Sequence, residues 1–202
     1  MRHKILGVIV LSAVLAGCKA SDTSSTDMAW KEAYIECLEQ YKDWDIKVDD
    51  NEKSEFFLHD LNQDGTPELI IEVHRGVDIY TFDSDSQEIR NIFSNGYYSL
   101  HLSTISGQLV FEGYLGGNKI GLVLYEIDKD LNMTQKESLL TGSNMANYDM
   151  SDYYRNGEAV SENVFDPIFT ELRENRIRPD MFLYAHEKVR EGFNLEDYIY
   201  KP

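Results

Sequence analysis

An α+β fold is predicted by two observations along the sequence. The middle of the chain alternates short β-type segments with turn-rich segments, and apolar residues recur at helical spacing on either side of it. These patterns predict an antiparallel β-meander of about seven to nine short strands in one curved sheet. We expect this sheet to pack with an N-terminal helix and one or two C-terminal helices.

The N-terminal helix is predicted from Asp27, a suitable N-cap, to about Asp43. Its apolar positions recur every three or four residues and are Trp30, Ala33, Tyr34, Cys37, Leu38 and Tyr41. Cys37 shares that apolar face, which favours a buried small side chain over a nucleophile.

The β segments are separated by Asp-, Ser-, Asn- and Gly-rich turns. They are Glu55–Leu58, Glu68–His74, Asp78–Phe82, Glu88–Phe93, Tyr97–Ser103, Leu109–Tyr114, Gly121–Ile127 and Met133–Leu140. Farther on, Asn156-Gly157 predicts a tight hairpin between Tyr153–Arg155 and Glu158–Val160, because both residues tolerate the positive φ angles of a type I′ turn.

Two C-terminal helices are predicted. The first runs from the N-cap Ser161 to about Arg173, and the second from Asp180 to Glu191, where Gly192 is a natural stop. The inward residues of the first are Val164, Ile168, Phe169 and Leu172. Those of the second are Phe182, Leu183, Ala185, His186 and Val189.

The N-terminus is typical of a secreted lipoprotein. Residues 1–17 read as a signal peptide, in which Arg2 and Lys4 precede an apolar run that ends at Leu15. Leu15-Ala16-Gly17-Cys18 then resembles the lipobox of the bacterial lipoprotein signal family, which implies that Cys18 carries a diacylglyceryl group after cleavage. The alternative, a transmembrane anchor with an incidental cysteine, is disfavoured by the length of the run.

The predicted cleavage before Cys18 defines the start of the mature chain and so its domain organisation. Residues 18–27 are expected to be the lipidated cysteine and a flexible tether, because they are polar and have little to bury. Residues 28–202 are long enough for a single globular domain with a core of its own. We expect the protein to lie on the extracellular face of the cell membrane, anchored through Cys18.

The charge limits the partners. The formal net charge is −17, and loss of Arg2 and Lys4 with the signal peptide makes it more negative by two. Such a surface excludes nucleic acid as the expected partner and favours solubility and cations. We expect a monomer, and once Cys18 is acylated only Cys37 remains, so no intramolecular disulfide forms.

The loop from Asp60 to Glu68 is predicted to bind calcium. Asp60, Asn62 and Asp64 occupy alternate positions, and Gly65 lets the chain reverse so that Thr66 presents its main-chain oxygen. Glu68 follows as a fifth ligand. With water completing the shell, the affinity should be modest, about 0.1–1 mM, and the ion structural. The alternative is a polar turn without an ion.

This loop resembles the first nine positions of an EF-hand, but Ile71 replaces the twelfth-position Glu and Pro67 leads into a strand signal. It is more similar to the Asp-rich loops of integrin-propeller modules. It is most similar to the phrase Asp-x-(Asn/Asp)-x-Asp-Gly-x-Pro-Glu-Leu of secreted lipoproteins of Gram-positive gut bacteria, a resemblance that implies calcium binding and no known activity.

These features favour a binding or interaction module whose ligand is a glycan or a protein. Tyrosines that would offer contact surface, or alternatively fill the core, are Tyr97, Tyr98, Tyr114, Tyr148, Tyr153 and Tyr154. No catalytic residue is assigned, since the sequence has neither a Gly-x-Ser-x-Gly elbow nor a zinc-ligand spacing. The alternative is a cell-envelope hydrolase acting on glycan or peptidoglycan, whose cleft would use sheet carboxylates and the polar loop from Asn144 to Asp152.

Overall fold

The computed structural model describes residues 23–45, 53–73, 76–96, 99–114, 120–142 and 152–201. The predicted signal peptide and Cys18 lie outside the described residues, as do most of the polar loop and Tyr97, Tyr98 and Tyr148. Within those ranges, no helix is long and apolar enough to cross a membrane.

The elements confirm an α+β chain. Its helices are α1 (Thr23–Asp45), α2 (Glu162–Glu174) and α3 (Tyr184–Glu187), followed by a 3-10 turn at Leu195–Tyr198. Its strands are β1 (Glu55–His59), β2 (Glu68–Val73), β3 (Gly76–Asp83), β4 (Glu88–Gly96), β5 (Ser99–Ser103), β6 (Gln108–Tyr114), β7 (Ile120–Ile127), β8 (Met133–Gly142), β9 (Asp152–Arg155), β10 (Glu158–Val160), β11 (Arg176–Ile177) and β12 (Phe182–Leu183).

The start of α1 differs from the prediction, because the helix begins at Thr23 and so includes Asp27 and the second half of the expected tether. Serine and threonine lower helix propensity by less than about 0.7 kcal/mol per residue. A polar composition therefore does not stop a helix from extending over these residues.

Two sheets replace the single sheet that was expected. The first has the order β12-β1-β2-β3-β4 and the second β10-β9-β8-β7-β6-β5-β11. All neighbours within them pair antiparallel, and one isolated parallel bridge joins Leu58 to Ile199. The chain passes from the first sheet to the second between β4 and β5, a step that local strand patterns do not reveal.

Alternation along the strands divides the core into three layers of side chains. Phe56 and Leu58 of β1 face α1, whereas Phe57 faces the second sheet. In the second sheet, Phe111 of β6 faces the first sheet and Val110 faces α2. The described layers therefore run α1, first sheet, second sheet, α2, and both sheets bury side chains on two faces.

The first C-terminal helix and the hairpin before it are confirmed. Asn156 and Gly157 have φ angles of 52° and 84°, as the predicted turn requires, and Ser161 is the N-cap of α2. Val164 was expected to face inward but is 44% exposed, and its neighbour Phe165 is buried instead. Ile168, Phe169 and Leu172 pack into the core as predicted, so the prediction fails only at Val164.

The prediction of a second C-terminal helix from Asp180 to Glu191 is wrong. Phe182 and Leu183 form β12 on the free edge of β1, and only four residues after them are helical. Tyr184 is buried among α1 and sheet side chains, while His186 is exposed and Val189 is 75% exposed. Pairing to β1 satisfies an edge that a helix would have left open, and helical spacing does not report such pairing.

Candidate metal centre

The predicted calcium loop closes the hairpin between β1 and β2. The register pairs His59 with Glu68, so the loop ligands lie between the last residue of one strand and the first residue of the next. Glu68 itself begins β2, and its side chain is fully buried. Residues 60–67 therefore form a compact turn whose two ends the sheet holds together.

The side chains at the first, third and fifth positions fold back into the turn. Asp60 accepts hydrogen bonds from the amides of Asp64 (Oδ1, 3.1 Å) and Gly65 (Oδ2, 2.9 Å). The Asn62 Oδ1 accepts from the Asp64 amide at 3.2 Å, and the Asp64 Oδ1 accepts from the Thr66 amide at 2.7 Å. The backbone amides thus orient oxygen atoms from alternate residues towards the inside of the loop.

Gly65 makes the reversal feasible. Its φ angle is 94°, in the region that L side chains rarely adopt, although a methyl group there would meet no atom within 4 Å. The requirement for glycine is therefore one of backbone conformation and not of space.

Glu68 is the predicted ligand whose side chain is fully buried. Its carboxylate accepts hydrogen bonds from the Leu61 amide (Oε2, 2.8 Å) and from the Thr81 hydroxyl (Oε1, 3.1 Å). Burial raises the pKa of Glu68 to about 7, and the charges of Asp64 and Asp60 add to the rise. A cation in the loop would offset the cost of burying this charge, because it would supply the opposite charge that the site lacks.

The donor set suits a hard cation such as calcium. Carboxylate, amide and main-chain oxygens at alternate positions of a tight loop are the ligands that calcium prefers. In the described ranges, no three Asp, Glu, His or Cys side chains gather into a group that could hold a metal ion. The Asn62 amide, the Thr66 main-chain oxygen and water would therefore have to supply part of the shell.

The loop also contacts three other parts of the fold. The Asn62 amide donates to the Lys129 carbonyl in the β7–β8 turn (3.2 Å), and Gln63 donates to the Ser106 hydroxyl in the β5–β6 turn (2.8 Å). The buried hydroxyl of Tyr34 on α1 donates to the Pro67 carbonyl at 2.9 Å. The loop thus joins α1 and both sheets, which no local pattern in the sequence indicated.

Glu72, four residues beyond Glu68 on β2, has other partners. Its carboxylate forms an ion pair with Arg178 and accepts a hydrogen bond from the Leu100 amide at 2.7 Å. It fixes the contact between the two sheets and does not extend the loop's ligand set.

The structure describes only some of the tyrosines that the sequence suggested as contact surface. Tyr153 is half-buried and its ring lies 4.9 Å from that of Phe165 in the core between the second sheet and α2. This position agrees with the core interpretation for Tyr153. The side chains of Tyr97, Tyr98, Tyr114 and Tyr148 lie outside the described residues.

A cavity of about 290 Å³ lies where the C-terminal segment returns to β1. Its charged lining residues are Arg178, Asp180, Asp197 and Lys201, and its other lining residues are Phe57, Phe182, Tyr198, Ile199 and Tyr200. Two carboxylates in one cleft are the minimum that a glycoside hydrolase needs. Asp180 and Asp197 line the same cavity because the C-terminal segment returns to β1. No local pattern in the sequence indicates that these two residues lie together.

A comparison of the chain with protein-family models, curated proteins and solved structures gives no match.

Proposed function

We propose that this protein is a lipid-anchored, calcium-stabilised binding module on the extracellular face of the cell membrane. The observation that carries the proposal is the loop from Asp60 to Glu68, whose oxygen donors are oriented inward by its own amides. The lipobox ending at Cys18 supports the membrane anchor. We also propose that the consecutive strands of each sheet form a curved meander.

The calcium is structural in this proposal. The charges of Asp64 and Asp60 help to raise the pKa of Glu68, and a bound cation would relieve this repulsion. Tyr34, Lys129 and Ser106 connect that turn to α1 and to the second sheet. A bound ion would therefore strengthen contacts across the whole domain, and we expect an affinity of about 0.1–1 mM.

Melting curves test whether calcium stabilises the protein. Calcium should raise the melting temperature of the purified protein relative to the same protein in chelator, and magnesium should raise it less, because magnesium sheds water reluctantly and requires stricter geometry. Equal melting in calcium, magnesium and chelator would contradict the proposal.

Fractionation tests the anchor. Wild type should be recovered in the membrane fraction with a mass increase from the lipid, whereas Cys18→Ser should be recovered without that increase and outside the membrane fraction. Cys37→Ser is the matched control, since Cys37 is buried and should leave the fractionation unchanged. An unmodified Cys18 in membrane-bound wild type would refute lipidation.

The second candidate function is a cell-envelope hydrolase. It is favoured by one observation, the pair Asp180 and Asp197 in the C-terminal cavity. If this pair is catalytic, wild type should release soluble fragments from peptidoglycan or envelope glycan, and Asp180→Asn and Asp197→Asn should each abolish the release. Absence of release by wild type would leave the binding module as the function.

A further inference from the structure

A cavity of about 400 Å³ opens beside α1 over β2 and β3. Its lining residues are Gln40, Tyr41, Val73, Asp78 and Tyr80. This volume lies within the range of small-molecule sites, which combine apolar walls with a few placed polar groups. None of these residues belongs to the calcium loop.

The fold places two tyrosines and a carboxylate in one corner of the cavity. Asp78 and Tyr80 are two residues apart on β3 and so point to the same face, towards α1. Tyr41, two helical turns after Tyr34, lies opposite them, and its hydroxyl is 2.5 Å from the Asp78 Oδ2 and 2.8 Å from the Tyr80 hydroxyl. The two tyrosine rings lie 6.3 Å apart at 77° and form two walls at nearly a right angle.

The corner is negatively charged. Within the described part of the chain, the hydrogen-bond donors to Asp78 are the neutral hydroxyls of Tyr41 and Ser94, the latter 2.5 Å from Oδ1. Burial and the hydrogen bond to Asp78 raise the pKa of Tyr41, so its phenol stays neutral and keeps donating. The carboxylate charge is thus oriented but not neutralised by these donors.

We propose that this cavity binds an organic ammonium cation, with Asp78 supplying the charge and Tyr41 and Tyr80 the aromatic walls. A ligand cation is attracted to the face of a tyrosine ring by the ring quadrupole. A carboxylate beside the ring adds a Coulombic attraction to the same cation. The net charge of −17 would raise the local concentration of such a ligand. A neutral sugar would use the rings but gain nothing from the charge.

This inference gives the proposed binding module a ligand class and rests on that part of the proposed function. It does not require calcium at the loop. The ammonium group could belong to a quaternary amine or to a primary amine such as a lysine side chain, and the two are separated by the choice of probe.

The test is calorimetric titration of the full chain in a non-ionic detergent with choline, with cadaverine and with N-acetylglucosamine. We expect choline, cadaverine or both to bind with a Kd of about 1 mM or tighter, and N-acetylglucosamine to bind at least about tenfold more weakly. Binding of choline alone would assign the site to quaternary amines, and binding of cadaverine alone would assign it to primary amines.

Two variants with matched controls locate the site. Asp78→Asn removes the charge and should weaken ammonium binding at least about tenfold, whereas Asp130→Asn makes the same change in an exposed turn and should have no effect. Gln40→Lys places a cation on the exposed rim without touching the buried hydrogen bonds and should weaken binding as well. Gln135→Lys, on an exposed site of β8, is its control.

Three results would overturn the inference: no heat from either amine, tighter binding of N-acetylglucosamine than of both amines, or wild-type binding by both Asp78→Asn and Gln40→Lys. Melting in calcium and chelator is recorded on the same samples. A protein that responds to calcium but binds no amine refutes only this inference, and one that binds amines without responding to calcium refutes only the calcium proposal.

Discussion

Replacing Glu68 by Gln should stabilise the protein in chelator and at the same time weaken its response to calcium. The Glu68 side chain is fully buried, and both its oxygens accept hydrogen bonds, from the Leu61 amide and the Thr81 hydroxyl. A glutamine can keep both contacts, because its oxygen can accept from Leu61 and its amide can donate to the hydroxyl oxygen of Thr81. The change therefore removes the charge and little else.

The size of the effect follows from the pKa of Glu68. Folding raises that pKa from 4.5 to about 7, so the folded state holds the proton more tightly than the unfolded state. Stability without calcium should therefore fall as the pH rises from about 4.5 to about 7, by about 3 kcal/mol in total, and then level off. Near pH 8 Glu68→Gln should recover most of this loss, and near pH 5 it should recover little.

Calcium narrows the difference in stability between the two proteins near pH 8. With a Kd of about 0.1–1 mM, calcium at about 10 mM should stabilise wild type by about 1.4–2.7 kcal/mol. Glu68→Gln should gain much less, because the ninth position no longer supplies a negative ligand.

Urea unfolding near pH 5 and pH 8, in calcium and in chelator, measures four free energies of unfolding for each protein. Glu88→Gln is the matched control, since Glu88 is exposed at the start of β4 and should change none of them. The reasoning would be refuted if Glu68→Gln were less stable than wild type in chelator near pH 8, since the ionised carboxylate would then be stabilising.

Three further substitutions probe the same loop. Asp64→Ala should lower the melting temperature in calcium to near that of wild type in chelator, and an unchanged calcium response would exclude Asp64 as a ligand. Gly65→Ala should cost about 1–2 kcal/mol in urea unfolding because of its φ angle of 94° alone, and a neutral result would show that the loop relaxes. Tyr34→Phe should cost about 1–3 kcal/mol, because it leaves the buried Pro67 carbonyl without its donor, and it should do so in chelator as well as in calcium.

The sequence was sufficient to locate the elements in the middle of the chain. The eight β segments from Glu55 to Leu140 are strands with boundaries shifted by a few residues at most, because alternation and turn composition are local signals. The division into two sheets was not accessible. It arises because β4 and β5 do not pair and β11 pairs with the edge of β5 instead. A two-residue strand such as β11 carries no periodicity that could indicate this pairing.

The same distinction holds for the candidate sites. The loop ligands were recognisable because calcium requires oxygens at alternate positions of a short segment. The residues that hydrogen-bond to these ligands were not recognisable from the sequence. Thr81 lies 13 residues from Glu68, and Lys129 lies 67 residues from Asn62. The cavity at Asp78 was likewise missed, because Tyr41 and Tyr80 look like ordinary core residues until α1 lies across β3.

The most direct test of the central claim is a calorimetric calcium titration of the full chain. One site with a Kd of about 0.1–1 mM, lost in Asp60→Ala, is the predicted result, because Asp60 both orients the loop and supplies its first ligand. No heat of binding up to about 10 mM calcium, or undiminished binding by Asp60→Ala, would contradict a calcium site between β1 and β2.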